Sequence, residues 1–182
     1  MAGILRRFPT ISATVPVYVV IAAPIFGWTI TSWLWKLPPW LNFLMSGEIA
    51  DIFFYAMLTA FVESVFLCSF FLLLSFLLPS RMFRDQFILR GTWLALGLAV
   101  SVLGNGIWRG MTRFTYAEIS LTLWSLISLI VVTLLAFVSA KVRFMVRAAE
   151  WISDRLIIFL YILIPLSIIS ILIVIVRNMF SG

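Results

Sequence analysis

The residue of this chain best placed to do chemistry is Glu63, a single carboxylate inside a long apolar run from Ile52 to Leu78. An ionisable side chain held at membrane depth costs a few kcal/mol on insertion scales, so its presence calls for a function or a partner. Its own helical neighbours Thr59, Ala60 and Phe66 offer no charge partner. Counted back from Pro79, it lies about 7 Å below one membrane boundary. Asn105 and Arg109, at the end of the following apolar run, are the expected partners. Three roles fit: a structural lock between two spans, proton or cation coupling in a small transporter, or contact with a polar substrate or lipid headgroup.

A second cluster is Gly104-Asn-Gly-Ile-Trp-Arg-Gly-Met-Thr-Arg113. Its glycines allow close backbone approach, and Arg109 and Arg113 can fork onto phosphate or carboxylate. With Glu48 and Asp51 from the preceding loop they are expected to line a pocket for an anionic headgroup, or simply to form a loop that touches lipid.

The chemistries the sequence excludes are more specific. The chain has no histidine and one cysteine, Cys68. That removes bis-histidine haem, H-E-x-x-H zinc sites, serine–histidine proteases and a thiol–disulfide relay. There is no phosphate loop of the G-x-x-x-x-G-K-[ST] type and no G-x-G-x-x-G turn. Lys36 and Lys141 are the only lysines, and neither sits in a serine–lysine constellation. No aspartate cluster suggests a metal site. The expectation is therefore a protein that is not an enzyme and carries no cofactor and no metal.

The elements that must hold these residues are membrane helices. Of the 182 residues, 64% are hydrophobic and only 11% charged, against about 25% charged in soluble domains. Five apolar runs are long enough to cross a bilayer as helices, each pairing its own backbone groups: approximately 15–35, 52–78, 91–108, 119–140 and 156–176. The predicted fold is an all-α integral membrane protein, one transmembrane helical domain over 1–182 with about five spans.

The thirteen Lys and Arg set its orientation. Arg6 and Arg7, the second loop and the fourth loop hold nine on one side; four lie on the other. The positive-inside rule puts the N-terminus in the cytoplasm and the C-terminus outside. The net charge of +6 is thus a topology and lipid signal rather than a nucleic-acid one. Lys36-Leu-Pro-Pro-Trp40 is expected to stop span one, with Trp40–Met45 as an interfacial or re-entrant segment. Arg143, Arg147, Glu150 and Asp154 recur at helical spacing opposite Met145, Ala149 and Ile152, which predicts a short amphipathic cytoplasmic helix before the last span.

Small residues mark where helices can approach closely in lipid. Span one carries Ala23 and Gly27. Span two carries Ala56, Ala60 and Ser64, and span three Gly97, Ser101 and Gly104. Spans one to four are expected to form the tight core, with span five at the edge or against another protein. The expected function is a non-catalytic subunit of a complex in the cell membrane, or a homo-oligomer. Its partners would be lipids and other membrane subunits or copies of itself. The alternative is a small transporter, channel or lipid-handling protein.

Overall fold

The structure, a computed structural model, describes residues 9–78, 86–112 and 117–180, and the side chains among them outside 108–122. Six helices follow in order: α1 (Ile11–Trp40), α2 (Ser46–Leu77), α3 (Phe87–Thr112), α4 (Ala117–Ser139), α5 (Arg143–Leu156) and α6 (Leu160–Phe180). A 3₁₀ turn at Ile157–Phe159 joins the last two. No strand occurs among the described residues. Four of the helical stretches are long and apolar enough to cross a membrane, α6 being counted together with α5, and Leu123–Ser139 is a shorter apolar helix.

The helices overrun the expected spans. At 1.5 Å per residue α1 and α2 measure about 45 and 48 Å, more than the ~30 Å hydrocarbon core. Hydropathy marks only the lipid-immersed part of a helix, and its ends continue beyond. The expected stop at Pro38-Pro39 is corrected: α1 runs through both prolines to Trp40. They fall in its last turn, so the two missing N–H groups cost ladder bonds only at the very end of the helix. Residues 41–45 form a tight hydrogen-bonded turn, with Leu44 N–H on the Trp40 carbonyl. A segment that short does not re-enter a membrane. The Glu48 carboxylate then closes the start of α2 by accepting from the Met45 N–H at 2.9 Å.

Helix α1 is the centre. Its N-terminal half (Val17, Val20, Ile21) packs with Cys68 and Phe71 of α2 and with Phe87 and Ala95 of α3. A second cluster joins Ala22 and Phe26 to Met57 and Ala60 of α2 and Leu163 of α6. Small residues make these approaches possible. Ala60, Ser64 and Cys68 are buried, and the Tyr18 hydroxyl meets Ser64 Oγ at 3.3 Å. Gly91 lies so close to Val17 that a Cβ there would be 2.9 Å from a valine methyl.

The last span lies at the edge of the bundle, with Ile162, Ile168, Ile169 and Leu172 exposed. Helix α6 packs along α2, burying Leu163, Ser167, Ser170 and Val174. Its two serines mark the packed face. Helix α4, expected in the tight core, is peripheral as well: it rests mainly on α3 and leaves Leu126, Ile127, Ile130 and Leu134 exposed.

The amphipathic helix α5 does not lie apart from the bundle. It packs across the end where α1 and α3 begin. Ala149 and Ser153 are buried, Ile152 and Leu156 join the first core cluster, and Arg143, Arg147, Glu150 and Asp154 stay exposed. Ser153 Oγ meets Thr92 Oγ1 at 3.1 Å, both buried, and the Trp93 indole N–H donates to the Met145 carbonyl. At the opposite end Asp51 of α2 pairs with Arg177 of α6, and the Tyr55 hydroxyl donates to Asn178 Oδ1 at 2.9 Å.

These packing distances separate two glycines that look alike in sequence. A Cβ on Gly97 would sit 2.6 Å from a Val132 methyl on α4, whereas nothing lies within 4 Å of one on Gly27. Gly97→Ala is expected to loosen α4 from α3 at a cost of about 1–3 kcal/mol by overpacking, with Val132→Ala restoring the loss. Gly27→Ala should be neutral or stabilising, since alanine is the better helix former by about 1 kcal/mol. Thermal unfolding in detergent, followed by dye binding, reads both.

Candidate functional site

Glu63 sits near the midpoint of α2, twelve residues from Asp51 and fourteen from Leu77, or about 18 and 21 Å along the axis. Helix α2 begins six residues before the apolar run that opens at Ile52.

Its side chain is exposed and lines a cavity of about 210 Å³. The floor is α1, with Pro24, Ile25, Trp28 and Thr29; Glu63 and Leu67 of α2 form one wall. The other wall is α3, from Ala95 through Ala99 to Leu103. The cavity lies beside the α1–α2 seam, which continues from Phe26 on Met57 and Ala60 to the Trp33–Phe53 ring contact, where α3 takes α4 as its neighbour. There α2 holds α6 through Asp51 and Tyr55. Over the same stretch α3 holds α4, with the Trp124 indole donating to the Ser101 carbonyl and lying 3.6 Å from a Cβ placed on Gly104. The α1 face between them stays open.

The polar groups in this groove are unequal. Thr29 donates its proton to the Ile25 carbonyl of its own helix at 2.9 Å, so its oxygen can still accept. No hydrogen bond or ion pair joins Glu63 to any of the described residues. The groove presents the Glu63 carboxylate and the Thr29 oxygen as acceptors, half-exposed Trp28 with its indole N–H beside them, and an otherwise apolar lining.

The other expected site residues are dispersed. Asn105 is half-buried on α3 and does not line the groove. The Arg109 side chain and all of Arg113 lie outside the described residues, as do Arg6, Arg7, Arg81 and Arg84. Glu48 closes the turn before α2 and Asp51 holds α6, so both are engaged in structure. Of the small residues, Ala60 and Ser64 are buried against α1 and Ala56 is half-buried beside them, while Gly97, Ser101 and Gly104 meet α4. Ala23 is half-buried, and Gly27 faces open space.

Arg90, one of the three cations that the charge count places in the second loop, stands inside a helix instead. It lies within α3, 9% exposed, its guanidinium 5.0 Å from the Phe137 ring, with Nε and Nη1 lacking hydrogen-bond partners among the described residues. No signal in its own residue type gave this away; α3 simply begins four residues earlier than the apolar run. No group of three or more His, Cys, Asp or Glu gathers among the described residues. Comparison with protein-family models, with characterised proteins and with solved structures finds no match.

The geometry separates a structural role for Glu63 from a binding one. A carboxylate at helix centre costs about 2.5–3.5 kcal/mol on insertion scales relative to apolar residues that favour lipid. With no partner to lose among the described residues, Glu63→Leu is expected to raise the thermal stability of the isolated protein. A fall in stability, measured by thermal unfolding in detergent, would show that the residue locks the fold.

Proposed function

We propose that this protein is a non-catalytic subunit of a complex in the cell membrane. The observation that carries the reading is the open groove on α1 with Glu63 in its wall: a charged group at membrane depth that the described chain leaves unpaired. The other polar contacts among the helices hold helices to one another, as at Tyr18–Ser64, Thr92–Ser153 and Asp51–Arg177. The chain's lack of histidine and its single cysteine also argue against self-sufficient catalysis.

In this reading the N-terminus is cytoplasmic and the C-terminus outside. The distribution of Lys and Arg supports it, and the fold is compatible with it. The beginnings of α1 and α3 and the basic helix α5 share one end; the ion pair of Asp51 with Arg177 lies at the other. Helix α5 carries Arg143, Arg147 and Arg155, with exposed Phe144 and Trp151, a mixture suited to an anionic leaflet surface.

A second reading, a small transporter or lipid-handling protein, is favoured by the cavity itself. In that case Glu63→Gln would abolish movement of a solute across vesicles while leaving assembly intact.

Extraction in mild detergent tests the subunit reading. The protein should elute with stoichiometric companions, or as a defined oligomer, and a lone chain with its own turnover would overturn it. For topology, cysteines placed at Ser46 and at Lys141 in a Cys68→Ser background should react with impermeant maleimide from opposite sides of the membrane, Ser46 from outside.

A further inference from the structure

We propose that the α1–α2–α3 groove receives one transmembrane helix of a different protein, carrying a single basic side chain at mid-span that pairs with Glu63. The inference rests on the subunit reading and specifies the partner's chemistry.

The argument begins with what an ionised carboxylate needs. It accepts hydrogen bonds and donates none. Hydroxyls in these helices solve their own problem by donating back one turn, as Thr59 does to the Tyr55 carbonyl and Ser69 to the Val65 carbonyl. A helix interior has no free N–H to offer in return, because each is already bonded to a carbonyl. Glu63 can therefore be satisfied only from outside its helix; of the facing surfaces, α3 offers apolar groups, the Thr29 hydroxyl of α1 already donates to the Ile25 carbonyl, and the Trp28 indole N–H, a neutral donor, is not hydrogen-bonded to Glu63.

The shape of the groove selects a helix rather than a headgroup. It extends over Ile21–Thr29 of α1 and Ala95–Leu103 of α3, about 12 Å or two turns on each. Ala95 and Ala99 keep one wall low, as close helix approach in lipid requires. A phospholipid headgroup stays at the interface, about 15 Å from the mid-plane, whereas a lysine or arginine on a spanning helix reaches mid-depth directly. Trp28 at the rim adds an aromatic face that favours a cation.

The charge also argues against a second copy of this chain as occupant. The basic residues of the described helices stand near helix ends: Lys36 near the end of α1, Arg90 in the first turns of α3, Arg177 in the last turn of α6. None lies at a mid-span position facing Glu63 from a second copy.

The test uses the full chain in neutral phosphatidylcholine vesicles, with a donor fluorophore at its N-terminus. The probe is an acceptor-labelled Leu/Ala helix of about 20 residues with one lysine at its centre. Matched peptides carry leucine or glutamate there. Energy transfer should show the lysine peptide binding about ten-fold more tightly than the leucine peptide, an advantage lost in Glu63→Gln and kept in Glu63→Asp. Equal binding of the three peptides, or a lysine preference that survives Glu63→Gln, would overturn the proposal. So would self-association of the chain that disappears with Glu63→Gln in the absence of peptide. If companions still co-purify with Glu63→Gln at wild-type yield, the subunit reading stands and this one falls; if no companion or oligomer is found with the wild type, the subunit reading itself falls.

Discussion

In hydrocarbon, every backbone N–H and C=O must find its partner within the protein, and for a lone segment that means within its own helix. The rest of this architecture follows from that requirement. It makes the described elements helical, and it decides which side chains the helices can absorb. Threonine and serine fit because their hydroxyls bend back onto a carbonyl one turn earlier, as Thr133 does to Leu129 and Ser167 to Leu163. Proline fits at the cost of one ladder bond, and Pro24 and Pro165 are carried inside α1 and α6. A carboxylate has no such internal solution, which is why Glu63 stands out physically as well as in the sequence.

With water absent from the driving force, helix pairing depends on close fit. The tightest approaches bring Val17 onto Gly91 and Val132 onto Gly97. They fix α3 between α1 and α4. Helix α5 works differently. It turns an apolar and serine-bearing face toward the ends of α1 and α3 and leaves its charges in the polar region. Thr92 and Ser153 satisfy one another in the buried seam, so the contact has a hydrogen-bonded register as well as apolar area. Removing one of two buried hydroxyls leaves the other unpaired, which is costlier than removing both.

Much of this was legible in the residues. The apolar runs located the long helices, and the spacing of Arg143, Arg147, Glu150 and Asp154 located α5 and its exposed face. The boundaries were less legible because hydropathy reports immersion rather than helicity. Thus α1 passes through Pro38 and Pro39, α2 begins six residues before Ile52, and Arg90 falls within α3. Neighbour choice was least legible. Ala23-Gly27 and Gly97-Ser101-Gly104 look equally suited to packing, yet Gly97 is filled by Val132 and Gly27 faces nothing within 4 Å. A stripe of small residues states that a helix can be approached closely; it does not state by which helix. For the same reason Ser167 and Ser170, too few to suggest a packing face, turned out to mark the seam of α6 with the chain.

The groove could not have been read from any one segment, because it is a product of competition among pairings. Near the N-terminal end of α1, three helices converge on Val17, Val20 and Ile21. Further along, α2 is drawn to α6 by an ion pair and a tyrosine–asparagine hydrogen bond, and α3 to α4 by Gly104 and the Trp124–Ser101 contact. Both neighbours of α1 are thus engaged on their far sides; α2 stays on α1 at Phe26, but α2 and α3 do not meet over Pro24, Trp28 and Thr29. Had α2 and α3 met there, Glu63 would have been buried against alanine and leucine with no donor, a more expensive place for a carboxylate than an open wall. An acidic residue is compatible with this position because the two hairpin partners hold the walls apart, so the same outer contacts that stabilise α4 and α6 also keep the Glu63 carboxylate accessible.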